Sequence, residues 1–183
     1  TFVNAGTYTK SGAGTTNIAI GFNNTATGTV SLNAGNLALN GGGTNTGAIN
    51  IANATTLEFG GSNYTLGGSL SGVAGARLLA SSGTLTNTSA KNFGGLLEIT
   101  NGTFNSDAAF ITAGYTQSAG TLGGTGAITI TGPITWTGGA MTGTGSTTFN
   151  GNLDLSNSSL KDITSRTVNF NGTTTWSKPA NDD

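Results

Sequence analysis

Apolar residues in this chain recur two apart, and the short segments they mark recur about twenty apart. Val30 and Leu32, Leu37 and Leu39, Ile49 and Ile51, and Leu57 and Phe59 are such pairs. Spacing by two is the period of a strand with one buried face. The clearest repeat runs from Gly120 to Trp176 and carries three apolar columns. The first is Leu122, Met141 and Leu160. The second sets Ile128 and Ile130 against Thr147 and Phe149, then Val168 and Phe170. The third sets Ile134 and Trp136 against Leu153 and Leu155, then Thr174 and Trp176. A period near twenty carrying three short alternating strands is the signature of a solenoid. The pattern predicts an all-β chain: a parallel β-helix of about 19–21 residues per turn, three short strands to each turn. About nine turns fit, and stacked at the parallel-strand spacing they make a rod of roughly 40 Å. Residues 1–183 read as one β-helix domain, a segment of something longer. Residues 1–27 are the least regular part and are expected to be an end coil; 177–183 read as a tail or linker.

Composition narrows the picture. Only 34% of the 183 residues are hydrophobic, too little for the core of a two-layer domain of this length. A solenoid needs less, since each turn buries only a few side chains against its neighbours. The 32 glycines follow no Gly-X-Y period, which excludes collagen. They gather instead in Gly-Gly pairs, at Gly42, Gly60, Gly67, Gly94, Gly123 and Gly138, where a coil would bend. Disorder is disfavoured by a net charge of -1 and by the phased apolar positions. With no Cys and no His there is no disulfide, no thiolate nucleophile and no His- or Cys-ligated metal. Six basic residues without a patch argue against nucleic acid, and no apolar run approaches a membrane span.

Candidate chemistry is sparse. Glu58, Glu98 and Asp154 each sit between two apolar residues and should face outward. Asp154, Lys161, Asp162 and Arg166 form the one charged cluster. Glycoside hydrolysis needs two carboxylates facing each other at about 5–10 Å, and Asp154 and Asp162 lie on different strands with different facings. The reading is therefore not an enzyme, with no cofactor and no metal. Trp136 and Trp176 end alternating strands and are expected inside. Tyr8, Tyr64 and Tyr115, each beside a Thr, are the candidate surface contacts for a ligand. Thr-x-Thr motifs, such as those at Thr84 and Thr129, raise an ice-binding face, but the motif at Thr129 and Thr131 gives way to Thr148 and Asn150 one period later.

The phrases "GTLGGTGAITITGPITWTGGAMTGTGSTTFNGNLDL" and "GTVSLNAGNLAL" resemble the repeats of bacterial surface proteins: autotransporter passenger domains and filamentous-haemagglutinin-like adhesins. The resemblance covers Thr29 to Trp176. It implies a right-handed parallel β-helix, secreted or at the bacterial cell surface, acting as a structural or adhesive rod. Expected partners are glycans or surface proteins, or a second copy stacked end to end. The alternative role is a carbohydrate-binding, or ice-binding, module that uses an outward face. The resemblance brings no set of binding residues with it.

Overall fold

The alternating segments fold as strands, and each strand pairs in parallel with its equivalent one coil away. The structure, a computed structural model, describes residues 1–155 and 159–176. The expected tail at 177–183 lies outside the described residues. Three faces make up the rod. On the first, nine strands stack: β1 (Phe2–Asn4), β4 (Phe22–Asn24), β7 (Gly43–Asn45), β10 (Tyr64–Leu66), β13 (Thr84–Asn87), β15 (Thr103–Ser106), β17 (Thr121–Gly123), β20 (Gly139–Met141) and β23 (Lys161–Ile163). The second begins with β2 (Thr7–Lys10), β5 (Thr29–Leu32), β8 (Ala48–Ile51) and β11 (Ser69–Gly72). The third begins with β3 (Thr15–Ile18), β6 (Asn36–Leu39), β9 (Thr56–Gly60) and β12 (Arg77–Ser82).

In coils 5 and 6 the second and third faces fuse. There β14 (Lys91–Ile99) and β16 (Phe110–Gln117) run round the corner as single strands. They part again into β18 (Ala127–Ile130), β21 (Ser146–Phe149) and β24 (Thr167–Phe170) on the second face. On the third they continue as β19 (Ile134–Trp136), β22 (Leu153–Asp154) and β25 (Thr174–Thr175). The fold is thus a β-solenoid of about nine coils with three strands each, and the described residues contain no helix. Residues 1–27, expected to be the least regular part, supply β1 to β3 and the start of the next coil in unbroken register.

The core is a column of side chains one residue wide per strand position. Phe22, Leu66, Leu85, Phe104, Leu122 and Met141 are all buried from the first face; Leu32, Ile51, Phe93, Ile130 and Phe149 from the second. Two of the three expected columns stand. Ile128 lies in register with Thr147 and then Val168, and Ile130 with Phe149 and then Phe170. Leu153 pairs with Thr174, and Trp136 is buried although Trp176, on the last described coil, is exposed. The first column fails at its last member. Met141 is in register with Ile163, not Leu160, and Leu160 is 83% exposed. The coil step there is 22 residues rather than 19, because the corner before β23 is longer and pushes Leu160 outside the tube.

Corners need donors as well as grease. At the corner between the first and second faces, Asn4 donates to Asn24 Oδ1 (2.8 Å) and Asn24 to Asn45 Oδ1 (2.7 Å). Leu66 interrupts this ladder, and Asn87 resumes it by donating to Ser106 Oγ (2.9 Å). Arg166 closes the same corner in coil 9. Its guanidinium, only 6% exposed, reaches back under two coils to the carbonyls of Gly124, Gly126, Thr142 and Ser146, and its Nε meets Thr147 Oγ1 at 2.7 Å. That contact explains why a threonine stands between Ile128 and Val168 in this inward column. Arg166→Ala leaves those acceptors dry, and we expect coils 7 to 9 to lose at least about 2 kcal/mol. Hydrogen exchange read by mass spectrometry should show protection lost there and kept in coils 1 to 5, since repeats are coupled mainly to their neighbours.

One glycine is required by a side chain rather than by a turn. Gly72 lies in the inward stack between Ile51 and Phe93, and a Cβ there would stand 2.1 Å from the Phe93 ring. Gly72→Ala should destabilise by about 1–3 kcal/mol through overpacking. Added to Phe93→Leu, it should cost clearly less than alone; thermal melts showing strict additivity would refute the competition for space.

Candidate functional site

The charged cluster does not converge. Asp154 is exposed on the third face, Asp162 is exposed on the first, and Arg166 points into the tube. The two carboxylates therefore stand on different faces of the rod, with no shared cleft between them. Among the described residues no group of acidic side chains is arranged to hold a metal ion.

The tyrosines are also placed differently from the sequence expectation. Tyr64 and Tyr115 are core residues, each 1% exposed, and only Tyr8 is half-buried, against the rings of Phe2 and Phe22. The alternation explains it: Tyr64 and Leu66 share a facing, and Leu66 is inside. Tyr115 donates its hydroxyl to Gln117 Oε1 (2.5 Å), and Gln117 passes two hydrogen bonds on to Gly120 O and Ala140 O. Burial raises both phenols well above the ordinary tyrosine value, with the Arg166 charge working against it at Tyr115. Neither ring offers a face to a sugar.

A cleft of about 430 Å³ opens where the second corner narrows. Coils 4 and 7 bulge at this corner, through Val73–Ala76 and Thr131–Pro133, while β14 and β16 cross it without a loop. Gly94 and Gly95 allow the crossing: a Cβ would lie 2.5 Å from Gly72 O at the first and 2.3 Å from Ala76 O at the second. The cleft is walled by Ala74, Leu96, Gly114, Thr116 and Pro133. No ionised side chain lines it, and the one titratable side chain there, Tyr115, turns its hydroxyl inward. It could admit a small neutral group, but it has no acid or base for chemistry.

Charge is sorted between the faces. Outward positions of the third face carry Glu58, Arg77, Glu98 and Asp154. Arg77 pairs with Glu98, and Glu58 accepts from Asn36 and Ser81 (both 2.8 Å). The second face presents Thr7, Thr29, Ala48 and Ser69 in one outward column and Thr9, Ser31, Asn50 and Ser71 in the next. On the first face one column runs Asn23, Thr44, Thr65, Thr86, Asn105, and its neighbour contains Thr84, Thr103, Thr121. Asp162, in coil 9, is the first charge within these two columns, and Asp107, in coil 6, stands at their edge. These neutral arrays are the extended surface the rod has to offer.

The chain matches no known family model, no curated protein and no solved structure.

Lys91 is a buried amine with a displaced titration. It stands in register with Phe110 in an inward column, is 7% exposed, and donates to Ser89 O and Oγ. Burial pulls it down to about 8. Between that value and the ordinary lysine value the unfolded chain holds more protons than the folded one, so stability should rise with pH from about 8 to 10. Above 10 the buried phenols reverse the slope, because the unfolded tyrosines ionise and the folded ones do not. Urea unfolding at stepped pH should show this rise, and Lys91→Met should flatten it.

Proposed function

We propose that this chain is a segment of a secreted or cell-surface rod with a structural and adhesive role. The observation that carries the reading is the unbroken register of parallel strands from coil to coil on the first face, from β1 to β23. Such a stack is stiff along its axis, because every coil is hydrogen-bonded to the next through the first face and through at least one of the other two. Its cleft at the second corner is lined by no ionised side chain, and among the described residues Asp154 and Asp162 stand on different faces. The likeness of its repeats to autotransporter passengers and filamentous-haemagglutinin-like adhesins points the same way. In this reading the protein holds attached modules at a set distance and presents long neutral faces sideways. It is non-enzymatic.

A mechanical role has a mechanical test. Pulled between its ends in a force spectrometer, the rod should yield in small repeated steps, each adding roughly 65 Å of chain as one coil peels off. Smooth extension at low force would remove the load-carrying role. Beads coated with folded protein should also be retained on cell or glycan surfaces above beads coated with heat-unfolded chain. Equal retention would remove the adhesive half.

A further inference from the structure

We propose that the first face is an ice-binding surface. Two outward columns adjoin there, with Thr44, Thr65 and Thr86 in coils 3 to 5 of one and Thr84, Thr103 and Thr121 in coils 5 to 7 of the other, so that the two threonine runs meet in coil 5. The sequence hides this array, since a complete Thr-x-Thr occurs on it only at Thr84 and Thr86; the other threonines are brought into line by the coil register. Successive coils set the side chains ~4.8 Å apart, and alternate residues along a strand set them roughly 6.6 Å apart. The axial repeat along each threonine column is close to an oxygen spacing of hexagonal ice.

All but one of the hydroxyls of this array are free to bind. Threonines in the turns commit theirs to protein: Thr25 to Asn4 O, Thr46 to Asn24 O, Thr55 to Ala52 O and Thr131 to Thr112 O. On the first face Thr44 bonds Asn23, whereas the hydroxyls of Thr65, Thr84, Thr86, Thr103 and Thr121 make no hydrogen bond with the described residues. Each of these carries a methyl group beside its hydroxyl, so the face alternates apolar and hydrogen-bonding points.

Three further features select ice over other occupants. No charged side chain occupies the two outward columns through coil 8, and the nearest carboxylate, Asp107 at the end of β15, lies at their margin and accepts from Thr125. No aromatic ring lies on the array to stack a sugar, since Tyr64, Phe104 and their neighbours on these strands point inward. Small hydroxyl side chains also supply little of the aromatic and apolar area that the core of a protein interface uses. Behind the array Tyr64, Leu85, Phe104 and Leu122 are fully packed, so the backbone is already rigid and little ordering is required on adsorption.

The test is to grow a single ice crystal from a solution of fluorescently labelled protein. The wild type should label defined crystal planes. Thr65→Lys and Thr86→Lys should lose that labelling to the level of a non-binding protein, while Thr135→Lys, exposed on the third face, should keep it. Circular dichroism melts check that the variants fold, and Thr65→Glu replaces either lysine variant that melts early. Exclusion of the wild type from ice would overturn the proposal, as would equal loss in Thr135→Lys. So would sedimentation showing a wild-type dimer that Thr65→Lys dissolves, because the face would then be an interface between copies. The proposal goes beyond the rod reading: pulling and adhesion can fail while ice labelling persists, and the reverse.

Discussion

Hydrogen bonding along the rod axis is the constraint from which the rest follows. A strand in this fold finds its backbone partners only in the coil above and the coil below. The strands can satisfy that demand by themselves, but the corners cannot, because a turning chain swings its carbonyls away from the axis. Buried carbonyls need donors, and the interior supplies them from side chains placed at the bends. The Asn4–Asn24–Asn45 run does this at the first corner, Thr112 at the second through Gly95 O and Gly114 O, and Gln117 at the third through Gly120 O and Ala140 O. Arg166 does for several carbonyls at once what each asparagine does for its own coil. The tube is therefore apolar along its walls and polar along its edges.

Variation is admitted only where that constraint is loose. The coil step ranges from 18 residues between Phe104 and Leu122 to 22 between Met141 and Ile163, yet the paired strand positions stay in register. The difference is taken up in the corners. Close approach sets their composition. Gly83 and Gly120 stack at the third corner with positive φ, and a Cβ on either would lie about 2 Å from the carbonyl of Gly61 or Gly102 in the coil before. A larger residue would force the coils apart and break the axial bonds on both sides.

These two facts decide what could be read from the sequence. Wall residues were legible, because alternation and a repeat of about twenty are properties of strands: Ile128, Thr147 and Val168 line up as expected, and so do Leu153 and Thr174. Leu160 was misplaced because a fixed period assumes equal corners, and the corner before β23 is long. The threonine neighbours of Tyr64 and Tyr115 suggest exposure, whereas Tyr64 shares the phase of Leu66, and Tyr115 that of Gln117, whose burial only the structure reveals. The asparagine ladder and Arg166 left no usable signal. An asparagine turned inward at a bend has the same neighbours in sequence as one turned outward, and only the three-dimensional register shows that Asn4, Asn24 and Asn45 touch. The alignment of Thr44, Thr65 and Thr86 was hidden for the same reason.

The scarcity of charge is itself a consequence of parallel stacking. A residue repeated at one position of every coil is set ~4.8 Å from its own kind, directly across the ladder. For a carboxylate that means like charges face to face along the whole rod, a destabilising arrangement for adjacent strands. The third face shows one workable compromise. Its outward column runs Ala38, Glu58, Leu79, Glu98, Thr116, so that Leu79 separates the two glutamates by two coil steps, and Arg77 in the adjoining column pairs with one of them. Hydroxyl and amide side chains carry no such penalty: stacked in register they either bond one another, as Ser71 does with Asn50, or turn to water. Neutral faces are thus the low-energy solution for a coil of this kind, and a chain with 7% charged residues is what that solution looks like in composition.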